Sequence, residues 1–481
     1  MKKLLISLIV SMLFLGGNAI ARPAFGVLQS NSGQQEGYVL FAPLSSTTTY
    51  LIDKQGQKVH SWQSKYTPGK SVYLLPDGSL LRTGNFGNSY FRMPGNGGII
   101  EKFNWDGKLV WSYKLSDSLQ CQHHDVYPMP NGNVLAIVCE VKTAAEAIAA
   151  GRDPQHVDKL LYSEKIIEIK PDGKTSGKIV WEWKAWDHLV QEFDPTKANY
   201  GSVAKHPELM DINYVYQESG DEADWLHFNS VTYNTDLNQI MVSSFNLNEI
   251  WIIDHSIPTA TAALHSGGKF GKGGDLLFRW GNPLVYQGGS SDDQRLFGQH
   301  SPYWIEKGYP DAGKIMIFNN GFGRMDGNYS SVDIISPVTD KKGNYVIGEG
   351  KSYLPKKAEW SYSDSLQTSF YSKTISNAQR LQNGNTLVCN GNSGQFFEIN
   401  KNKQIVWEYK NPVCNENGVT QDRSLCHFVF RCGLYALNYP AFSNKKLTLN
   451  STKDEQIVNP AKSNSTVSTY GKRSGGTRSQ K

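Results

Sequence analysis

Three of the eleven histidines in this 481-residue chain recur at one position of a repeated phrase. They are His124 in Gln122-His123-His124-Asp125, His227 in Leu226-His227-Phe228-Asn229 and His300 in Gly298-Gln299-His300-Ser301, each just ahead of a hairpin turn. Imidazole titrates near neutral pH. Three of them brought together suit either of two chemistries. One ring can take up an electrophilic group while the others act as acid, base and anion clamp. Alternatively, all three can ligate one zinc, iron or copper ion. No His-Glu-x-x-His phrase and no acidic ligand triad accompanies them, so the reading assigns no metal and no cofactor. A lone histidine before a strand is usually a cap or a buried hydrogen-bonding group; recurrence in three units is what argues for a shared site. His60, His156, His188, His206, His255, His265 and His427 lack that recurrence.

Strand alternation puts His227 and Asn229 on one face and turns His123 and His124 to opposite faces, so His124 is expected to face the site. Asn229 and His123 are further candidates for holding substrate.

Distant histidines converge only if the fold is a ring. A second phrase supplies one: a Gly-bearing turn, a β-branched strand and a tryptophan, ending at Trp62, Trp111, Trp181, Trp280, Trp360 and Trp407. Between these ends lie hairpins such as Pro76-Asp77-Gly78, Pro130-Asn131-Gly132 and Gln382-Asn383-Gly384, whose Asp-Gly and Asn-Gly pairs supply the positive φ of tight turns. Six such units with little helical periodicity predict an all-β, six-bladed β-propeller with loops inserted between strands. Equivalent positions of successive blades then circle one axis. Closure requires Gly37–Phe41 to pair beside Val406–Tyr409 or beside Phe428–Tyr435. One helix is expected at Thr143–Ala150, closed by Gly151.

The ends read differently from the body. Lys2 and Lys3 precede an apolar run from Leu4 to Leu15 and an Ala19-Ile20-Ala21 ending, the pattern of a cleaved secretory signal peptide over residues 1–21. No stretch reaches the ~18 apolar residues of a membrane span. Residues 22–440 are assigned to a single propeller, exported as a secreted or periplasmic protein. Residues 441–481 form a Ser/Thr-rich basic tail, too poor in apolar side chains to offset its ordering entropy and expected to be disordered. The overall charge of +5 belongs to these ends, leaving −3 for residues 22–442 and disfavouring a nucleic-acid partner. Six cysteines suit an exported chain, with Cys414–Cys426 the expected pair.

At the histidine phrases the chain resembles the bacterial PAPS-independent arylsulfotransferase family over roughly residues 36–440. Gln122-His123-His124-Asp125, His227-Phe228-Asn229-Ser230, Phe297-Gly298-Gln299-His300 and the repeated Asn-Gly-Asn-Thr-Leu and Val-Trp-Glu-Tyr phrases carry the resemblance. It implies a six-bladed propeller that moves a sulfuryl group from an aryl sulfate to a phenol through a sulfohistidine. On that resemblance His300 is the nucleophile, His227 and Asn229 hold the transferred group, and His124 completes the pocket. In one place the chain departs from the family, which carries an arginine on the strand after His-x-Asn. Here that strand reads Met241-Val242-Ser243-Ser244-Phe245-Asn246-Leu247-Asn248, with no basic residue. Arg324, in the Gly-rich loop after the His300 hairpin, is the expected substitute, with Arg380 as second choice. The alternatives are a metal-dependent oxygenase or lyase using the same ring, and a non-catalytic propeller that binds glycans or proteins.

Overall fold

The computed structural model describes residues 24–447 except 92, 216–222, 365–368, 415–424, 444 and 446. The expected signal peptide and nearly all of the expected tail lie outside them. Five four-stranded antiparallel units and one of five strands circle a central axis, and the chain is a six-bladed β-propeller. Their innermost strands are Val429–Tyr435, Pro68–Leu74, Gln120–Pro128, Phe228–Asn234, His300–Trp304 and Asn377–Arg380.

Closure uses the second of the two expected partners. Tyr38–Pro43 pairs with Val429–Tyr435, Tyr38 opposite Tyr435 and Phe41 opposite Cys432, so the C-terminal strand completes the first blade from inside. The other partner, Ile405–Lys410, receives Gly26–Ser30 on its outer edge. Ala441 and Phe442 are buried against the first two blades, so packing continues two residues beyond the expected boundary at 440. Cys414 and Cys426 form a disulfide, and the helix runs Ala144–Ala149 with Thr143 and Glu146 in a capping box.

The repeated tryptophan joins neighbouring blades. It lies on the outer strand of each blade, and five of the six indole N–H groups donate to a backbone carbonyl of the next one. Trp62 bonds Asn104, Trp111 bonds Ser176, Trp181 bonds Ile257, Trp280 bonds Pro355 and Trp407 bonds Lys54. Trp360 instead lies under the Arg380 and Lys403 cations of the sixth blade. A buried indole needs a hydrogen-bond partner, and one taken from the next blade fixes the angle between sheets.

A buried ion pair fastens the junction between the last and first blades. Lys54 Nζ lies 2.7 Å from Glu398 Oε2 with both side chains fully buried, and it sits 3.7 Å above the Trp407 ring. Replacing Lys54 by Met strands the Glu398 carboxylate and is expected to cost about 3–5 kcal/mol in denaturant unfolding. Replacing Glu398 by Leu in the same chain should recover most of that loss; a neutral single variant would refute the assignment.

Candidate active site

Each inner strand enters the channel through a kink, and the kinks explain which side chains turn inward. Five inner strands shift register near their start, between Pro68 and Val72, opposite Ala136–Val138, between Phe228 and Ser230, between His300 and Tyr303, and opposite Phe41–Pro43. Positive φ values mark the entries: Lys70 128°, His124 49°, His227 50°, Ser301 51°, Ser376 89° and His427 67°. Bulges of this kind bend a strand and re-aim its side chains, at a cost that the surrounding fold must offset.

This geometry overturns the expectation that His123 and His124 point apart. The left-handed backbone at His124 breaks the alternation, and the two Nδ1 atoms lie 2.8 Å from each other. The loop before them closes onto the ring: Gly95 accepts the His124 N–H at 2.9 Å, and a Cβ on Gly95 would fall 1.9 Å from His124 Cε1. The His227 ring follows at 4.9 Å from that of His124. Phe245 packs against His227 at 5.3 Å and His300 at 5.6 Å, and Phe430 lies 6.2 Å from both His124 and His300. The three histidines thus line one enclosed chamber with two aromatic walls; they are 3, 7 and 2 % exposed. Phe245 closes the strand on which the resemblance leads one to expect an arginine.

Hydrogen bonds set the state of each ring. Asn320 spends its amide protons on the carbonyls of Ser372 and Ile375, so its Oδ1 accepts, at 2.8 Å, from His300 Nδ1–H. The His300 Nε2 lone pair is left facing the Ile375 N–H at 3.1 Å. Burial lowers the His300 pKa to about 3, and it also holds His124 well below the ordinary range, so both rings are neutral. His227 differs. Burial opposes its protonation, but the Asp224 carboxylate 2.6 Å from Nδ1, helped by Glu164, outweighs burial and raises the pKa. His123, held to about 3 chiefly by burial, links His124 to Glu164, whose Oε2 is 2.7 Å from His123 Nε2.

Two expected site residues are engaged by the protein itself, Asn229 only through its Nδ2, since its buried Oδ1 has no hydrogen-bond partner. Asn229 Nδ2 donates to the Gln299 carbonyl at 2.8 Å, bracing the approach to His300. Arg324 is not brought to the histidines. Its guanidinium bonds the Tyr329 carbonyl and Ser331 Oγ within its own loop and stacks on Phe297 and Tyr329. Arg380 is likewise tied to Asp311, Gly384 and Thr386. Five residues escaped the sequence reading: Lys70, Asp224, Glu164, Arg431 and Phe430. Asp224, three residues before His227, was the most accessible to it.

Beneath the chamber Asp125, fully buried, accepts Arg431 Nη2 at 2.8 Å, Tyr73 Oη at 3.1 Å and the Val231 N–H at 3.1 Å. Past this floor the channel widens into a cavity of about 1360 Å³ toward the hairpin turns, walled by tyrosines such as Tyr127, Tyr233 and Tyr435. The histidines do not line it. Among the described residues, the group with metal-ligand spacing is His188, His265 and Asp275, which shares no residue with the chamber.

A family model of arylsulfotransferase (ASST) matches residues 28–423. The chain belongs to the arylsulfotransferase family. No curated protein matches it. Solved structures that resemble this arylsulfotransferase-family chain include a Bacteroides caccae protein of unknown function, at 11% identity over 83% of this chain and 98% of that one, TM-score 0.44. Another is a streptogramin B lyase, at 12% identity over 81% and 84%, TM-score 0.37. Family membership makes the chain a sulfotransferase-type propeller acting on small molecules. Among the described residues no helix is long and apolar enough to cross a membrane.

Proposed function

We propose that this arylsulfotransferase-family protein, exported from the cell, moves a sulfuryl group from an aryl sulfate to a phenol through a sulfohistidine on His300, without a nucleotide donor. The observation that carries the reading is the fixed tautomer of His300, a neutral ring whose unprotonated Nε2 accepts from the Ile375 N–H and no side chain, beside an imidazole whose protonation Asp224 favours.

In the first half-reaction His300 Nε2 bonds to sulfur as the sulfur–oxygen bond to the aryl group breaks. The departing oxygen keeps the electron pair and takes a proton from His227 Nε2, while Asp224 stabilises the Nδ1 side. In the second, neutral His227 removes the proton of the acceptor hydroxyl, whose oxygen bonds to sulfur as the nitrogen–sulfur bond returns its pair to His300. His124 supports the sulfuryl oxygens. Phe245 and Phe430 supply apolar walls for the aryl group. Mixing the protein with 4-nitrophenyl sulfate and no acceptor should release a rapid burst of one equivalent of nitrophenol and leave an acid-labile mass increase on His300. Phenol should then restart turnover. Steady hydrolysis without a burst, or label elsewhere, would contradict the mechanism.

A further inference from the structure

We propose that Lys70 is the cation of this sulfuryl site, supplying from the second blade the positive charge that Met241–Asn248 lacks. The inference rests on the sulfotransferase reading and assigns that reaction a donor outside the histidine phrases.

Three guanidiniums have carboxylate partners, although Arg82 Nε and Nη1 and Arg431 Nε find no hydrogen bond. Arg431 is neutralised by Asp125 and bonds Tyr73; Arg82 lies 3.5 Å from Glu101; Arg279 is locked to Glu249. Lys70 sits on the kinked entry of its inner strand, where the next two blades carry His124 and His227, and its φ of 128° is one that L-residues rarely adopt. Its ammonium acts on both the His124 and the His227 rings, opposing their protonation, so it projects toward the chamber they form. Lys70 is half-buried, and no acidic group and no hydrogen bond compensates the lost hydration, which lowers its pKa to about 8. A strained, half-buried cation without an ion-pair or hydrogen-bond partner is costly. A sulfuryl group, with charge spread over three oxygens, is the kind of partner that offsets the cost. Preorganised positive charge there stabilises the transition state in an enclosed, water-poor site. Asp224 is already bonded to the His227 ring.

The test compares Lys70→Met and Lys70→Arg with the unaltered protein, each checked for an unchanged thermal transition. Two readouts are used, kcat/KM for 4-nitrophenyl sulfate and calorimetric affinity for inorganic sulfate. Lys70→Met is expected to lose about 100-fold in kcat/KM and at least tenfold in sulfate affinity, and Lys70→Arg to restore most of both. Because the ammonium is lost as pH rises through about 8, the sulfate affinity of the unaltered protein should weaken above that pH more than that of Lys70→Arg. Sulfate affinity unchanged in Lys70→Met overturns the proposal whatever happens to turnover. Sulfate binding that depends on Lys70 in a protein with no aryl-sulfate turnover sustains the anion site and refutes the sulfotransferase reading instead.

Discussion

A His300→Ala variant is expected to lose turnover of 4-nitrophenyl sulfate by a factor on the order of 10⁴ or more and to form no labelled protein. Asn320 fixes the His300 tautomer with Nε2 unprotonated. His124 and His123 are neutral too, but their Nδ1 atoms face each other and His123 Nε2 faces Glu164, so three of their four ring nitrogens are engaged. The Asp224 carboxylate favours protonation of His227, and a protonated ring is no nucleophile. The variant also separates structure from chemistry. His300 makes two side-chain bonds at Nδ1 and one at Nε2, so its loss can loosen the turn at Ile375. Asn320→Ala controls for this: it keeps the nucleophile but frees the tautomer, and should lose only about 10- to 100-fold while still forming the adduct. A His300→Ala protein that keeps the burst would remove His300 as the attacking group.

The propeller was legible because its signals are local and repeated. Each tryptophan phrase encodes an outer strand together with the bond to the next blade, and each Asp-Gly or Asn-Gly encodes a hairpin. The same phrases located His124, His227 and His300, since equivalent positions of a ring converge whatever their separation in sequence. What stayed hidden depends on backbone irregularity. Period-2 alternation assumes an unbroken strand, and the bulges at the strand entries break it, which is why His123 and His124 meet instead of diverging. Lys70 carries no such signal, because it precedes the Pro76-Asp77-Gly78 turn on a strand whose kink the sequence does not mark. Arg324 stood in a Gly-rich loop close in sequence to His300, but proximity in sequence says nothing about which carbonyls its guanidinium can reach. Glu164 and Arg431 come from a middle strand and from the closing strand; only the sheet order places them behind the histidines.

The second large effect is expected at Asp224. In the unaltered protein the carboxylate raises the His227 pKa against the opposing effect of burial. Replacing Asp224 by Asn leaves burial unopposed by that charge, so the His227 pKa should fall below its ordinary value of about 6.5. The sign follows for both rate and stability. Donor cleavage needs protonated His227, so the unaltered rate should hold at low pH and fall as pH rises through the raised pKa. In Asp224→Asn that fall should move to a lower pH. The stability linked to the His227–Asp224 pair is likewise fully present below about 6.5 and lost as pH rises through the raised value. At pH 7 the variant should cleave poor-leaving-group aryl sulfates about 10²- to 10³-fold more slowly, the usual worth of a positioned general acid. With 4-nitrophenyl sulfate the loss should be smaller, because a stable phenolate departs without a proton. The diagnostic measurement is therefore the slope of log kcat/KM against the pKa of the leaving phenol. A steeper slope in Asp224→Asn identifies His227 as the proton donor, whereas parallel lines would mean that Asp224 merely supports the fold and that the proton comes from elsewhere.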